Sequence, residues 1–149
     1  MLTEPQRSHY GTFGFLALRQ VFSPDEIQAI SSAFDEVMLE DREGKPFDGQ
    51  QRQTVVDWFF RRPETEKLPN DPRICGPIKQ LLGNDYTFHK GNDGNFYVGD
   101  TGWHSDMGWD PSIPEGRNDP YLLEGHSKHY IRAIKVVFYL DPVGSDTGC

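Results

Sequence analysis

The sequence has few cysteines and no long apolar run. Its two cysteines, Cys75 and Cys149, are too few for a disulfide scaffold and too far apart for a Cys-x-x-Cys metal site. No stretch approaches the roughly 18 consecutive apolar residues that a membrane-spanning helix needs, and the N-terminus lacks the apolar core of a secretory signal. These absences predict a protein of a reducing, cytoplasmic compartment with no membrane partner.

Cationic charge is also scarce. The 149 residues include 23 Asp and Glu against 15 Lys and Arg, which gives a formal net charge of −8. Because nucleic acids bind proteins through basic faces, the composition predicts no nucleic-acid partner. The length corresponds to one domain with a hydrophobic core. With 36% hydrophobic and 13% aromatic residues, we expect a loop-rich fold packed around large rings.

Capping signals mark two helices. Ser23 and Glu26 form the capping box of an amphipathic helix, for which Gly44 is the predicted terminator. Asp71 is predicted to cap a shorter helix that ends at Gly83. Pro77 falls inside this second helix, so its first turn is expected to be separate.

Other segments of the first half are less clearly patterned. The apolar residues 13–18 are compatible with a short buried strand. Residues 45–70 contain bulky apolar residues that fit a strand or a helix, and both alternatives stay open. Arg61 and Arg62 interrupt this apolar run and are expected to be a solvated pair.

Strand signals dominate after Gly83. Residues 86–90 and 95–98 are predicted to form a hairpin around a turn at 92–94. Residues 130–140, dense in Ile, Val, Phe and Tyr, give the strongest strand prediction in the chain. Helices first and strands later indicate an α+β, mainly β domain whose helices cover one face of an antiparallel sheet.

One motif, Trp103-His104-Ser105-Asp106, carries residues suited to metal chemistry. In an extended segment, His104 and Asp106 point to the same side, so an imidazole nitrogen and a carboxylate oxygen can reach one metal ion. A further histidine would complete the two-histidine, one-carboxylate triad of non-heme Fe(II) oxygenases. The spacing alone also fits a His–Asp hydrogen bond in a loop.

In its context, this motif resembles the metal-binding motif of the phytanoyl-CoA dioxygenase family. The order of the predicted elements agrees, from a Gly-Phe segment at 11–18 through Leu-Leu-Gly at 81–83. The resemblance implies a double-stranded β-helix, or jelly roll, with N-terminal helices packed on the sheet. It also implies an Fe(II)- and 2-oxoglutarate-dependent dioxygenase that hydroxylates a small-molecule substrate, with His104 and Asp106 as catalytic iron ligands. A carboxylate at Asp106 favours hydroxylation over halogenation.

The family's distal histidine and its 2-oxoglutarate-binding arginine have no counterpart in this sequence. Residues 1–149 are therefore expected to form a single, C-terminally incomplete oxygenase domain. His126 and His129 follow the motif but fall in or near a predicted loop, where a structural or substrate-facing role is the stronger expectation. The alternative function is a non-catalytic fragment or metal-binding module, which could form homo-oligomers through the exposed edge of its sheet.

Three further residues are candidates for binding roles. Trp103 and Trp109 flank the metal motif and are candidates for substrate binding, although aromatic residues beside a strand more often belong to the core. Lys135 lies among apolar residues and is a candidate for binding the acidic cosubstrate. The alternative for Lys135 is an outward-facing lysine on an alternating strand.

Overall fold

The computed structural model describes residues 1–88, 92–99 and 134–144. The chain divides into two compact units, Met1–Val98 with Tyr139–Val143 and Gly99–Phe138 with Gly144–Cys149. Among the described residues, no helix is long and apolar enough to cross a membrane. The regular elements are α1 (Glu4–Phe13), α2 (Pro24–Asp41), β1 (Gln53–Val56), α3 (Pro63–Glu66), α4 (Pro72–Leu82) and β2 (Asp93–Phe96), with short 3₁₀ helices at Trp58–Arg61 and Leu68–Asn70.

Helix α2 confirms the predicted capping box. The Glu26 amide donates to the Ser23 hydroxyl at 3.3 Å, and the Ser23 amide donates to the Glu26 carboxylate at 2.8 Å. The helix ends at Asp41, before the predicted terminator Gly44, whose amide donates to the carbonyl of Leu39 at 2.9 Å. One side of the helix is buried, through Ile30, Ala33, Phe34, Val37 and Met38.

The short buried strand that residues 13–18 were compatible with is absent, because α1 includes Phe13 and residues 14–18 are in neither helix nor strand. Thr3 and Gln6 form a second capping box, since the Thr3 hydroxyl accepts from the Gln6 amide and the Gln6 side chain accepts from the Thr3 amide. Gly14 ends the helix in the left-handed region at φ 76°. Phe13, Phe15 and Leu18 are exposed, so this short apolar run is not a buried strand.

The sheet contains β1 and β2 as antiparallel neighbours, with Val55 opposite Gly94 and Gln53 opposite Phe96. The open alternatives for 45–70 are thus both realised, as a short strand followed by short helices. The predicted hairpin was wrong, because residues 93–94 lie within β2 instead of a turn, and residues 86–88 form no strand. The cause is a long-range contact, since β2 pairs with β1 across the chain.

The strand predicted for 130–140 is not found in the part of this range that the structure describes. Residues 134–140 are in neither a helix nor a strand, and residues 130–133 lie outside the described part. A strand exists only through hydrogen bonds to a neighbouring strand, and β1 and β2 pair with each other. The jelly roll stays a prediction.

Helix α4 confirms the second capping prediction. The Asp71 side chain accepts from the Arg73 amide at 2.8 Å, and Gly83 follows the last turn at φ 94°. The helix continues through Pro77, so the expected separate first turn does not occur. Its apolar side chains are half-buried rather than fully buried.

Aromatic rings join α2 to the sheet. The Phe34 ring meets Trp58 edge to face at 5.1 Å between centroids, and it meets Phe96 in the same way at 5.4 Å. Such edge-to-face pairs align the positive ring edge with the negative ring face, which adds to the stabilisation from apolar burial. The expected packing around large rings is therefore found in this part of the chain.

Candidate functional site

Most predicted site residues lie outside the described residues. These are Trp103, His104, Asp106 and Trp109, together with the two weaker histidine candidates, His126 and His129. Lys135 is described, and it is exposed in a segment without helix or strand. Its assignment to 2-oxoglutarate binding stays a prediction. Across the described ranges, no group of three or more His, Cys, Asp or Glu side chains is arranged to hold a metal ion.

The strand that precedes the motif in sequence, β2, directly follows a well-anchored residue, Asn92. Its side-chain oxygen accepts from the Phe59 amide at 3.2 Å, and its side-chain nitrogen donates to the Asp57 carboxylate at 3.1 Å. Its backbone carbonyl accepts from the Asp57 amide at 2.8 Å, while Asp57 adopts a left-handed conformation at φ 55°. Asn92 therefore holds together the start of β2 and the turn after β1.

Arg73 joins the N-termini of α2 and α4 through a charged cluster. Its guanidinium donates to both carboxylate oxygens of Glu26, at 2.9 and 2.8 Å, and to Asp71 at 2.7 Å. It also lies 4.4 Å from the ring centroid of Phe22. The hydrogen bonds from Arg73, with a smaller contribution from the Ser23 amide, lower the pKa of Glu26 from 4.5 to about 2. The pKa of Asp71 is also lowered, mainly by Arg73.

We expect Glu26→Gln to reduce the free energy of unfolding at neutral pH and to flatten its acid dependence. A carboxyl group whose pKa is lowered by folding stabilises the fold above its unfolded pKa, and this contribution disappears as pH falls through the folded pKa. For Glu26 that window runs from 4.5 down to about 2. Urea unfolding at a series of pH values measures the effect.

The matched control is Asp25→Asn, which alters the neighbouring carboxylate in the first turn of α2. Arg73 bonds to Glu26 and Asp71, so this variant leaves the cluster in place. We expect it to keep the wild-type acid dependence between the same pH limits. Equal slopes for wild type and Glu26→Gln would contradict the stabilising role of the cluster.

The predicted solvated pair was wrong for Arg62. Its side chain is only 21% exposed and forms ion pairs with Glu36, at 3.1 Å, and with Glu40. The side chains of both glutamates are exposed on α2. Arg62 thus attaches the segment after β1 to α2, a contact that the local pattern did not indicate.

An open cleft of about 450 Å³ lies beside the C-terminal end of α2. Acidic and basic side chains both line this cleft. The acidic ones are Asp41, Glu43 and Asp48, and the basic ones include Arg42 and Lys45. This mixture gives the cleft no preference for an anion or a cation. It therefore adds no candidate site for an acidic cosubstrate.

No family model matches the chain, and neither a curated protein nor a solved structure matches it. The resemblance to the phytanoyl-CoA dioxygenase family accordingly rests on the Trp103-His104-Ser105-Asp106 motif and on the order of the elements around it. Of that order, the helices that begin after Ser23 and Asp71 are present. The Gly-Phe strand is absent, since α1 extends through its beginning.

Proposed function

We propose that this chain is a non-heme Fe(II)- and 2-oxoglutarate-dependent dioxygenase that hydroxylates a small molecule. The observation that carries the proposal is the Trp103-His104-Ser105-Asp106 sequence. The imidazole of His104 and the carboxylate of Asp106 are donors that suit Fe(II), and they provide two of the three ligands of the facial triad. When bound, the iron supplies the oxidising chemistry of hydroxylation.

The remaining candidates act around this centre in the proposal. Lys135 contributes a cation for the acidic cosubstrate, and its exposed position leaves it accessible to a small molecule. Trp103 and Trp109 provide apolar surface for the substrate. The proposal also places the chain in the cytoplasm, where a reducing environment maintains ferrous iron and free thiols at Cys75 and Cys149.

Metal binding and turnover test this proposal separately. Anaerobic titration with Fe(II) is expected to show binding to the wild type that His104→Ala and Asp106→Ala each weaken by at least about tenfold, because each removes a ligand atom. With 2-oxoglutarate and oxygen added, the wild type is expected to form succinate, and both variants are expected to lose this activity. Succinate is measured because its formation can be followed without knowing the substrate, with ascorbate added as the reductant for turnover that is not coupled to hydroxylation.

His9→Ala is the matched control for loss of a histidine. His9 lies on α1 and contacts the rings of Phe13 and Phe15, at 4.7 and 5.0 Å. We expect this variant to retain wild-type metal binding. Metal binding without succinate formation would favour the alternative of a non-catalytic metal-binding module, and absence of metal binding would refute both functions.

A further inference from the structure

The sequence contains two Asp-Gly dipeptides, Asp48-Gly49 and Asp93-Gly94. Such pairs are chemically labile, because glycine has no Cβ atom to hinder attack by its own amide nitrogen on the carboxyl group of the preceding aspartate. The structure places the two pairs in opposite surroundings. Asp48-Gly49 lies in the exposed segment between α2 and β1, whereas Asp93-Gly94 begins β2.

The backbone around Asp48 is open. Asp48, Gly49 and Gln50 are exposed and belong to no helix or strand. Gly49 has φ 69°, and a Cβ atom added there would have no heavy atom of the described residues within 4 Å beyond its chain neighbours. Within the described part of the chain, strand pairing and core packing therefore do not restrain the peptide bond after Asp48. This bond can rotate to the geometry of ring closure without unfolding the protein.

The side chain of Asp48 is folded back over the backbone that follows it. Its carboxylate oxygen accepts from the Gln50 amide at 2.9 Å, which forms an Asx turn. This turn keeps the carboxyl carbon beside the intervening amide of Gly49, whose nitrogen is the attacking atom. The Gln50 amide also stabilises the negative charge that develops on the bonded oxygen during the attack. Position and electrostatics thus both favour ring closure at Asp48.

Asp93 also precedes a glycine, but the fold restrains it. Its carboxylate accepts from the Asn95 side-chain nitrogen at 2.7 Å and forms an ion pair with Arg52 at 3.7 Å. Gly94 is buried, and a Cβ atom added there would lie 2.5 Å from the Phe34 ring. Both residues belong to β2, which pairs with β1. Ring closure at Asp93 would have to break these contacts, so the sheet protects it.

We propose that Asp48 is a modification site, at which the folded protein isomerises spontaneously to isoaspartate. The Gly49 nitrogen loses its proton and bonds to the carboxyl carbon of Asp48, and the carboxyl hydroxyl leaves with a proton as water, which gives a succinimide. Water then opens this ring at either carbonyl carbon. Opening at the original main-chain carbonyl leaves the chain running through the former side chain, whereas opening at the side-chain carbonyl restores aspartate.

Isomerisation changes the main chain but leaves the mass and the formal charge unchanged. The product has one more main-chain carbon between Phe47 and Gly49. The Phe47 ring packs on Phe96 at 5.0 Å between centroids and lies 5.6 Å from the Arg42 guanidinium. Because Phe47 and Asp48 both line the open cleft, the added carbon alters the wall of that cleft. The reaction is independent of the proposed oxygenase activity, since it involves neither iron nor a cosubstrate.

Peptide mapping of the aged, folded wild type tests the proposal. The protein is kept in mildly acidic buffer, because water leaves only from a protonated carboxyl group, and it is then digested with trypsin. Asp48 and Asp93 fall in different tryptic peptides, 43–52 and 91–117. Isoaspartate appears as a second peak of identical mass, and an isoaspartyl methyltransferase labels it with a methyl group from S-adenosylmethionine. We expect isoaspartate to accumulate at Asp48 at least about tenfold faster than at Asp93.

Two controls separate the fold from the dipeptide. In urea both aspartates precede a glycine in an unfolded chain, so we expect their rates to become similar. Asp48→Glu keeps the charge but leaves peptide 43–52 without an aspartate, and we expect no isomer in it because closure would need a six-membered ring. A folded protein in which Asp48 stays intact, or in which Asp48 and Asp93 isomerise at equal rates, would overturn the proposal.

Discussion

Met38→Ala is expected to lower the free energy of unfolding by about 2–5 kcal/mol, the usual range for a fully buried methionine. Met38 is fully enclosed on the inner face of α2, beside the equally enclosed Val37. Truncation removes apolar burial and leaves a cavity that the surrounding side chains fill only in part. Urea unfolding, followed by circular dichroism and by tryptophan fluorescence, measures the loss.

Leu39→Ala provides the matched control for Met38→Ala. Leu39 is the next residue in the same helix, but it is 42% exposed. Alanine has a slightly higher helix propensity than leucine, so we expect a change below about 1 kcal/mol. Similar losses in the two variants would show that the buried face of α2 does not carry the stability.

Gly94→Ala is expected to cost about 1–3 kcal/mol, because the added methyl group overpacks the core. A Cβ atom at this position would lie 2.5 Å from Cε2 of Phe34 and 3.1 Å from Cδ1 of Trp58. Neither ring can move freely, since the two are packed edge to face. The same urea experiment measures this loss, and a larger one is expected for Gly94→Val.

Gly11→Ala is the control for Gly94→Ala. Gly11 lies within α1, where an added Cβ would have no heavy atom within 4 Å outside the local helix backbone. Alanine restricts the unfolded chain and favours the helix, so we expect stabilisation by about 0.5–1 kcal/mol. If Gly94→Ala were as stable as the wild type, the strand would not approach the two rings as closely as the structure indicates.

Capping signals account for the helices that could be predicted from the sequence. In α2 and α4, the side chains of Ser23 and Asp71 bond to amides only a few residues away. Such bonds depend on local sequence alone, so the first residues of both helices could be predicted. The same kind of local signal, Thr3 with Gln6, begins α1.

Long-range contacts explain the predictions that were wrong. The residues Asn92-Asp93-Gly94 have the composition of a turn, yet Asp93 and Gly94 lie in β2 because that strand pairs with β1. The side chain of Asn92 supports this pairing through Phe59 and Asp57, which are distant in sequence. Arg62 likewise depends on carboxylates of another helix.

The sequence by itself determined the starts of α2 and α4, the acidic charge and the His104–Asp106 motif on which the proposed function rests. The helix caps and the motif depend on residues that are close together along the chain, and the net charge depends on composition alone. Only the tertiary structure decided that β1 pairs with β2 and that Arg73 joins two helices. It also decided that the rings of Phe34 and Trp58 pack against Gly94, where a larger residue would clash. These contacts join residues far apart in sequence, because chain folding, rather than local preference, brings their side chains within van der Waals or hydrogen-bond distance.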